Sequence, residues 1–114
     1  MHFIQSIGYT VQTGKAKGFQ DWLADNEGAW ASAMPEGTEY IGTFAAVMGT
    51  NKHAGTTYTL YRLDSYGALD RLAAAMKDGA LGKIISDSAQ FVDWESDDWS
   101  QLILKAMGEA TLIE

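Results

Sequence analysis

Apolar and polar side chains alternate near the start of the chain, where Phe3, Ile7 and Tyr9 share one face. This spacing of two residues predicts a β-strand, with Gln5 as the polar exception on that face. Three later segments rich in apolar, β-branched and aromatic residues predict three more strands. The four predicted strands span residues 2–12, 39–48, 56–63 and 99–107.

The apolar spacing changes to that of a helix after the first strand. In residues 15–34, Phe19, Trp22 and Trp30 lie on one stripe, and Pro35 ends the pattern. These residues therefore predict one long helix between the first two strands.

A second helical pattern begins after the third strand, where Asp64 and Ser65 are both suited to capping a helix N-terminus. It runs to about Ala89, and Gly79 interrupts it. The element order is β-α-β-β-α-β, which predicts an α+β, ferredoxin-like fold with an antiparallel sheet. A chain of 114 residues fits one such domain, spanning residues 1–114.

The strand predicted at residues 39–48 is apolar on both faces. Simple alternation places Tyr40 and Phe44 on one face and Ile41 and Val47 on the other. In a βαββαβ fold both helices cover the same face of the sheet, so the second apolar face stays uncovered. We therefore expect a second sheet against it, supplied by another copy of the chain in a homodimer.

Composition excludes several classes of function. The formal net charge of −7 argues against binding to nucleic acids or to anionic membranes. The absence of cysteine excludes disulfides, thiolate metal sites and thiol catalysis, and it fits a cytoplasmic location. The first residues lack the pattern of a signal peptide, and no apolar stretch is long enough to span a membrane.

Residues 60–70 (LYRLDSYGALD) join a strand to a helix, and residues 40–44 (YIGTF) lead into a glycine-flanked loop. Both segments, and the layout of nearly the whole chain, resemble the dimeric α+β barrel superfamily. The resemblance implies self-association, as a homodimer or a larger assembly. It also implies a fold shared by cofactor-independent monooxygenases, lactone isomerases, haem-degrading enzymes and small stress-responsive proteins. Haem is disfavoured, because neither His2 nor His53 lies on the second helix, where haem-degrading members carry the iron ligand.

Polar and aromatic residues, most of them on the strands, are the candidates for a binding site. The candidate ligand-binding residues are Gln5, Tyr9, Trp22, Tyr58 and Arg62. Tyr58 and Arg62 share a face of the third strand, where an inward arginine would suit a phenolate, enolate or carboxylate. The alternative is an arginine that reaches the rim and pairs with an acid, beside core tyrosines with satisfied hydroxyls.

The candidate catalytic residues are Arg62, Tyr58 and His53. Histidine can act as a base near neutral pH. His53 lies in the polar loop at residues 49–55, however, where a solvated side chain without a catalytic role is the alternative.

An acidic segment at residues 93–98 resembles a fragment of a calcium-binding loop. Asp98 and Leu104 stand where that loop needs glycine and glutamate, so we predict a solvated loop and no metal site. Trp94 within the segment and Trp99 directly after it are expected to pack at an interface.

Two functions follow from these observations. The first is a homodimer that binds a small apolar ligand between helices and sheet, with no assignable reaction and no cofactor. The alternative, suggested by the superfamily layout, is a cofactor-independent monooxygenase or isomerase acting on an aromatic or polyketide-like substrate. In that enzyme Tyr58 and Tyr9 would donate hydrogen bonds, Arg62 would stabilise an anion and His53 would act as a base. The sequence favours the first function, because the strand that is apolar on both faces is not accompanied by a convergent set of acid and base residues.

Overall fold

The computed structural model describes residues 2–49, 55–96 and 98–108. Within these residues, four strands form one antiparallel sheet in the order β2-β3-β1-β4. The strands are β1 (Phe3–Tyr9), β2 (Thr38–Ala45), β3 (Thr57–Leu63) and β4 (Ser100–Lys105). The predicted α+β class and βαββαβ order are confirmed, with the second helical region divided in two.

Three helices connect the strands and pack on one face of the sheet. They are α1 (Ala16–Ser32), α2 (Tyr66–Ala75) and α3 (Gly79–Ser88). Of the two predicted capping candidates, Ser65 caps α2, because its hydroxyl accepts a hydrogen bond from the Ala68 N–H at 3.2 Å. α3 is a separate helix because Asp78 caps it, accepting from the Gly79 N–H at 2.7 Å. None of the helices that the structure describes is long and apolar enough to cross a membrane.

The core lies between the helices and the sheet face that carries Phe3, Tyr61 and Leu63. These side chains are at most 2% exposed, and they pack in one cluster with Trp30 of α1 and Leu72 of α2. Burial of a large apolar side chain contributes about 1.5–3 kcal/mol. This cluster is therefore a main source of the free energy that holds the helices on the sheet.

β2 is an edge strand with a bulge between Tyr40 and Gly42. The bulge shifts the alternation by one residue, so Tyr40 lies opposite Tyr61 on the helix side, whereas Phe44 lies opposite Tyr58 on the other side. The prediction that Tyr40 and Phe44 share a face is therefore wrong. Simple alternation fails here because a bulge adds one residue to a strand without adding a partner.

The sheet face away from the helices is called the open face below. It carries Ile4, Ser6 and Gly8 of β1, Glu39, Gly42 and Phe44 of β2, Tyr58, Leu60 and Arg62 of β3, and Ser100, Leu102 and Leu104 of β4. Phe44, Leu102 and Leu104 are 49%, 61% and 51% exposed. All helices in the described part of the chain pack on the opposite face, which leaves this apolar surface uncovered.

Candidate functional site

A pocket with a volume of about 210 Å³ opens between the helix side of the sheet and the segment from α2 to β4. We call it the aromatic pocket. It is lined by Ile7, Tyr9, Trp30, Thr59, Tyr61, Met76, Ile85, Trp94 and Trp99. Its inner surface consists of carbon atoms, because the polar atoms of these residues point into hydrogen bonds behind the wall.

Hydrogen bonds behind the rings hold two tryptophans of the pocket in place. The indole N–H of Trp30 donates to the Tyr61 hydroxyl at 3.1 Å. The indole N–H of Trp94 donates to the Ser88 hydroxyl at 2.9 Å, and that hydroxyl donates to the Ile85 carbonyl at 2.6 Å. Because a buried polar group is costly unless it is bonded, these contacts let both indoles present only carbon to the pocket.

Trp94 and Trp99 form the outer side of the pocket. The ring of Trp94 meets Tyr9 edge-on, with centroids 4.9 Å apart, and Trp99 meets Trp94 at 6.2 Å. Trp99 is 41% exposed, so it separates the pocket from solvent. The predicted interface role of these two tryptophans is not tested, but within one chain they build a pocket wall.

Four hydroxyl groups form a continuous hydrogen-bonded chain behind the pocket wall. Tyr9 bonds to Thr59 at 2.8 Å, Thr59 to Thr43 at 3.0 Å, and Thr43 to Tyr40 at 2.7 Å. The Tyr40 hydroxyl then donates to the carboxylate of Glu27 at 2.8 Å. An ionised carboxylate only accepts, so each hydroxyl in turn donates toward Glu27. The Tyr9 hydroxyl therefore donates its proton to the hydrogen bond with the Thr59 hydroxyl.

The phenols around the pocket stay protonated at neutral pH. Burial is the largest cause that raises the pKa of Tyr9, Tyr40 and Tyr61 above the ordinary value of 10.0. The hydrogen bond to Glu27 raises the pKa of Tyr40 further, because it stabilises the protonated phenol. These tyrosines are therefore suited to shaping the pocket and unsuited to removing a proton from a ligand.

A second space, with a volume of about 440 Å³, adjoins the aromatic pocket. We call it the polar cleft. It is lined by Tyr9, Thr10, Val11, Gln12, Thr13, Val92, Asp93, Ser96, Asp98 and Trp99. Tyr9 and Trp99 belong to both walls, so the site has an apolar inner part and a polar outer part.

Three of the five candidate ligand-binding residues lie on the helix side of the sheet. Tyr9 lines the aromatic pocket. Gln5 is buried, and its amide donates to the Gln101 side chain at 3.0 Å. Trp22 stacks on Phe19, with ring centroids 6.0 Å apart. The structure thus brings Tyr9 to the pocket and engages Gln5 and Trp22 beside it.

The other two candidates, Tyr58 and Arg62, lie on the open face, across the sheet from the pocket. The ring of Tyr58 packs over Gly8, where a Cβ would lie only 2.9 Å away. Arg62 donates to Asp64 at 3.1 Å, and both side chains are exposed. Tyr58 and Arg62 are therefore not brought to the pocket, and His53, the third candidate catalytic residue, lies outside the described residues.

Eight of the nine described wall residues were not among the candidate ligand-binding residues, namely Ile7, Trp30, Thr59, Tyr61, Met76, Ile85, Trp94 and Trp99. The available signal was a pair of tryptophans close behind the second helical region. Among the residues that the structure describes, no three metal-binding side chains are grouped. Asp97 of the acidic segment lies outside them.

The fold is shared with several solved structures. A NIPSNAP-like domain protein from Burkholderia xenovorans matches with a TM-score of 0.68 and 13% identity, covering 96% of this chain and 89% of that chain. A NIPSNAP family protein from Agrobacterium tumefaciens matches with a TM-score of 0.66 and 15% identity, covering 92% of this chain and 87% of that chain. The chain has the ferredoxin-like fold of these proteins.

A putative antibiotic biosynthesis monooxygenase from Nitrosomonas europaea has this ferredoxin-like fold too. Its TM-score is 0.60 at 11% identity, covering 96% of this chain and 94% of that chain. No protein-family model matches the sequence, and no curated protein is significantly similar to it. The resemblance to the dimeric α+β barrel superfamily is therefore confirmed for the fold, and no reaction is assigned by it.

Proposed function

We propose that this protein is a homodimer that binds a small apolar ligand in the aromatic pocket. The observation that carries the proposal is the pocket itself, an opening of about 210 Å³ with a carbon surface. A ligand that fills it removes apolar surface of both partners from water, which is favourable in proportion to the area buried.

The volume of the pocket limits the size of the ligand. An apolar cavity of about 150 Å³ holds benzene, whereas drug-sized ligands occupy pockets of roughly 300–1,000 Å³. At about 210 Å³ the aromatic pocket accommodates one ring with a short substituent. The rings of Tyr9, Trp30 and Trp94 favour an aromatic guest, because edge and offset contacts between rings add about 0.5–1.5 kcal/mol.

Binding is better supported than turnover. Every described residue of the pocket wall is aliphatic, aromatic or threonine, so this wall offers no carboxylate, imidazole or amine as a base. Burial keeps its phenols protonated. A cofactor-independent monooxygenase or isomerase would have to draw its base from outside this wall. The base candidate His53 lies outside the described residues, and the hydrogen-bond donor Tyr58 and the anion stabiliser Arg62 lie on the opposite face of the sheet.

A second copy of the chain is the occupant that we propose for the open face. Leu102 and Leu104 give this face an exposed apolar surface, and exposed Ile103 leaves the helix side of β4 uncovered as well. Arg62 on the open face pairs with Asp64 and lies opposite Glu39, so the charges of this face are of both signs and stand at one end of β2 and β3. Its other described positions are uncharged, which limits the repulsion expected between chains of net charge −7.

Titration with toluene, followed by methyl NMR, tests the ligand site. Toluene should shift the methyl resonances of Ile7, Met76 and Ile85 in a saturable manner. Ile85→Trp fills the pocket and should abolish the shifts, whereas Ala73→Trp, at an exposed position of α2, is the matched control and should preserve them. Unshifted methyls in the unmodified protein, or shifts that survive in Ile85→Trp, would count against the proposal.

A further inference from the structure

We infer that the ligand carries a positive charge beside its ring, on a short chain that lies in the polar cleft. This inference rests on the proposed function and narrows the ligand to the arylalkylamines. The aromatic pocket and the polar cleft are adjacent, because Tyr9 and Trp99 belong to the walls of both. A substituent on a ring held in the aromatic pocket therefore has the polar cleft beside it.

The described wall of the polar cleft contains two carboxylates, Asp93 and Asp98, and neither lysine nor arginine. Lys15 is close in sequence, but its ammonium donates to the Gln90 carbonyl at 2.9 Å. The net charge of −7 has the same sign as the local charge. The cleft thus favours a cationic substituent over an anionic one.

The other groups of the cleft also suit an ammonium, which has three donors and no acceptor. Gln12 and Thr13, whose side chains carry oxygen acceptors, line the cleft, whereas the Ser96 hydroxyl already donates to the Asp93 carbonyl and accepts from the Asp98 N–H. The rings of Tyr9 and Trp99 stand at the boundary between the two spaces, and the faces of such rings attract cations. A carboxylate substituent would find donors in the same glutamine and threonine side chains, so the preference for a cation rests on the two carboxylates and the ring faces.

The expected preference for a cation is modest, because both carboxylates are exposed to water. Exposed ion pairs and cation–π contacts each contribute a small factor, so we expect roughly 3- to 10-fold tighter binding than for a neutral analogue. Salt should reduce this preference by screening the exposed charges.

Three ligands with the same ring test the inference: 2-phenylethylamine, 2-phenylethanol and 3-phenylpropanoate. Their affinities, measured at low and high salt through the pocket methyl resonances, should fall in the order amine, alcohol, carboxylate. The variant Asp93→Asn with Asp98→Asn should bind the alcohol as before and lose the preference. The matched control, Asp25→Asn with Asp70→Asn, removes two exposed charges outside the cleft and should retain it.

The outcomes separate this inference from the proposed function. Equal affinities for the three ligands, or tightest binding of the carboxylate, would show that the site does not prefer a positively charged ligand. The proposal that the aromatic pocket binds a ligand would be unaffected. Equal loss of preference in both double variants would overturn the role of the cleft, because only total charge would matter. If none of the three ligands shifts the pocket methyls, the proposed function fails and the inference falls with it.

Discussion

The two faces of this sheet belong to the same strands, but the side chains of one are buried and the large apolar side chains of the other are exposed. On the helix side Phe3 and Leu63 are at most 2% exposed, and a hydroxyl chain running from Tyr9 to Glu27 satisfies polar groups behind the pocket. On the open face the large apolar side chains of β4 are more than half exposed. The difference shows that the burial of each face depends on the elements that pack against it and not on the composition of the strands.

The comparison also separates two roles within one small domain. The helix side contains a pocket that is lined by residues of one chain. The open face has apolar area that no described element of the chain covers. Ligand binding is therefore assigned to one face and self-association to the other, and the following experiments test that division.

The largest expected effect concerns assembly. Leu102→Lys with Leu104→Lys places charges at the proposed contact of both copies. The dimer dissociation constant should rise at least ~100-fold, since each buried leucine contributes roughly 1.5–3 kcal/mol. Size-exclusion chromatography with light scattering measures it. Ala24→Lys with Ser32→Lys, at exposed positions of α1, is the control. A wild-type protein that stays monomeric at micromolar concentration would remove the assigned role of the open face.

A matched pair of phenylalanines compares the faces directly. Phe3 is 2% exposed on the helix side, and Phe44 is 49% exposed on the open face. In the monomeric double-lysine background, Phe3→Ala should lower the free energy of unfolding by about 3–5 kcal/mol. Phe44→Ala should lower it by less than about 1 kcal/mol, because its ring is half in water already. Urea unfolding measures both, and similar losses would mean that the open face is as well packed as the core.

Alkaline pH should destabilise the helix side. Burial raises the pKa of Tyr9 and Tyr61 above 10.0, so the unfolded chain releases these protons at a pH where the folded chain still holds them. Stability is therefore unaffected by them below about pH 10 and falls above it, by up to about 1.4 kcal/mol per pH unit for each phenol. Urea unfolding at a series of pH values measures the slope. Tyr61→Phe should flatten it, whereas Tyr66→Phe, at a 60% exposed position, should not.

A smaller loss of stability is expected from changing Glu27, the acceptor at the end of the hydroxyl chain. Glu27→Leu leaves the Tyr40 proton without its acceptor and should cost about 1–2 kcal/mol of stability. Glu27→Gln keeps an accepting oxygen and should cost less. Equal losses in the two variants, measured by thermal unfolding, would indicate that the chain does not depend on an acceptor at this position.

The smallest effect is expected at Arg62. Its exposed pair with Asp64 contributes little, so Arg62→Ala should change stability by less than about 0.5 kcal/mol. Toluene binding should also stay unchanged, because Arg62 lies across the sheet from the pocket. A loss of ligand binding in this variant would move the binding site to the open face.

Much of the fold could be predicted because its signals are local. The alternation of Phe3, Ile7 and Tyr9 predicted β1, and the capping residue Ser65 was correct for α2. The candidate site was predicted less well, since among the candidates only Tyr9 lines the aromatic pocket. Trp94 and Trp99 were visible as a pair, but nothing near them in sequence indicated that they would meet Tyr9.

The order of strands and helices, the acidic charge and the lack of thiol chemistry followed from the chain read as a sequence. Periodicity and capping depend on residues a few positions apart, so they can be read without knowing what lies across the sheet. The bulge beside Tyr40, the hydroxyl chain from Tyr9 to Glu27 and the pocket itself appeared only in the folded chain. Each depends on strand register between distant segments, where a shift of one residue turns every side chain to the other face.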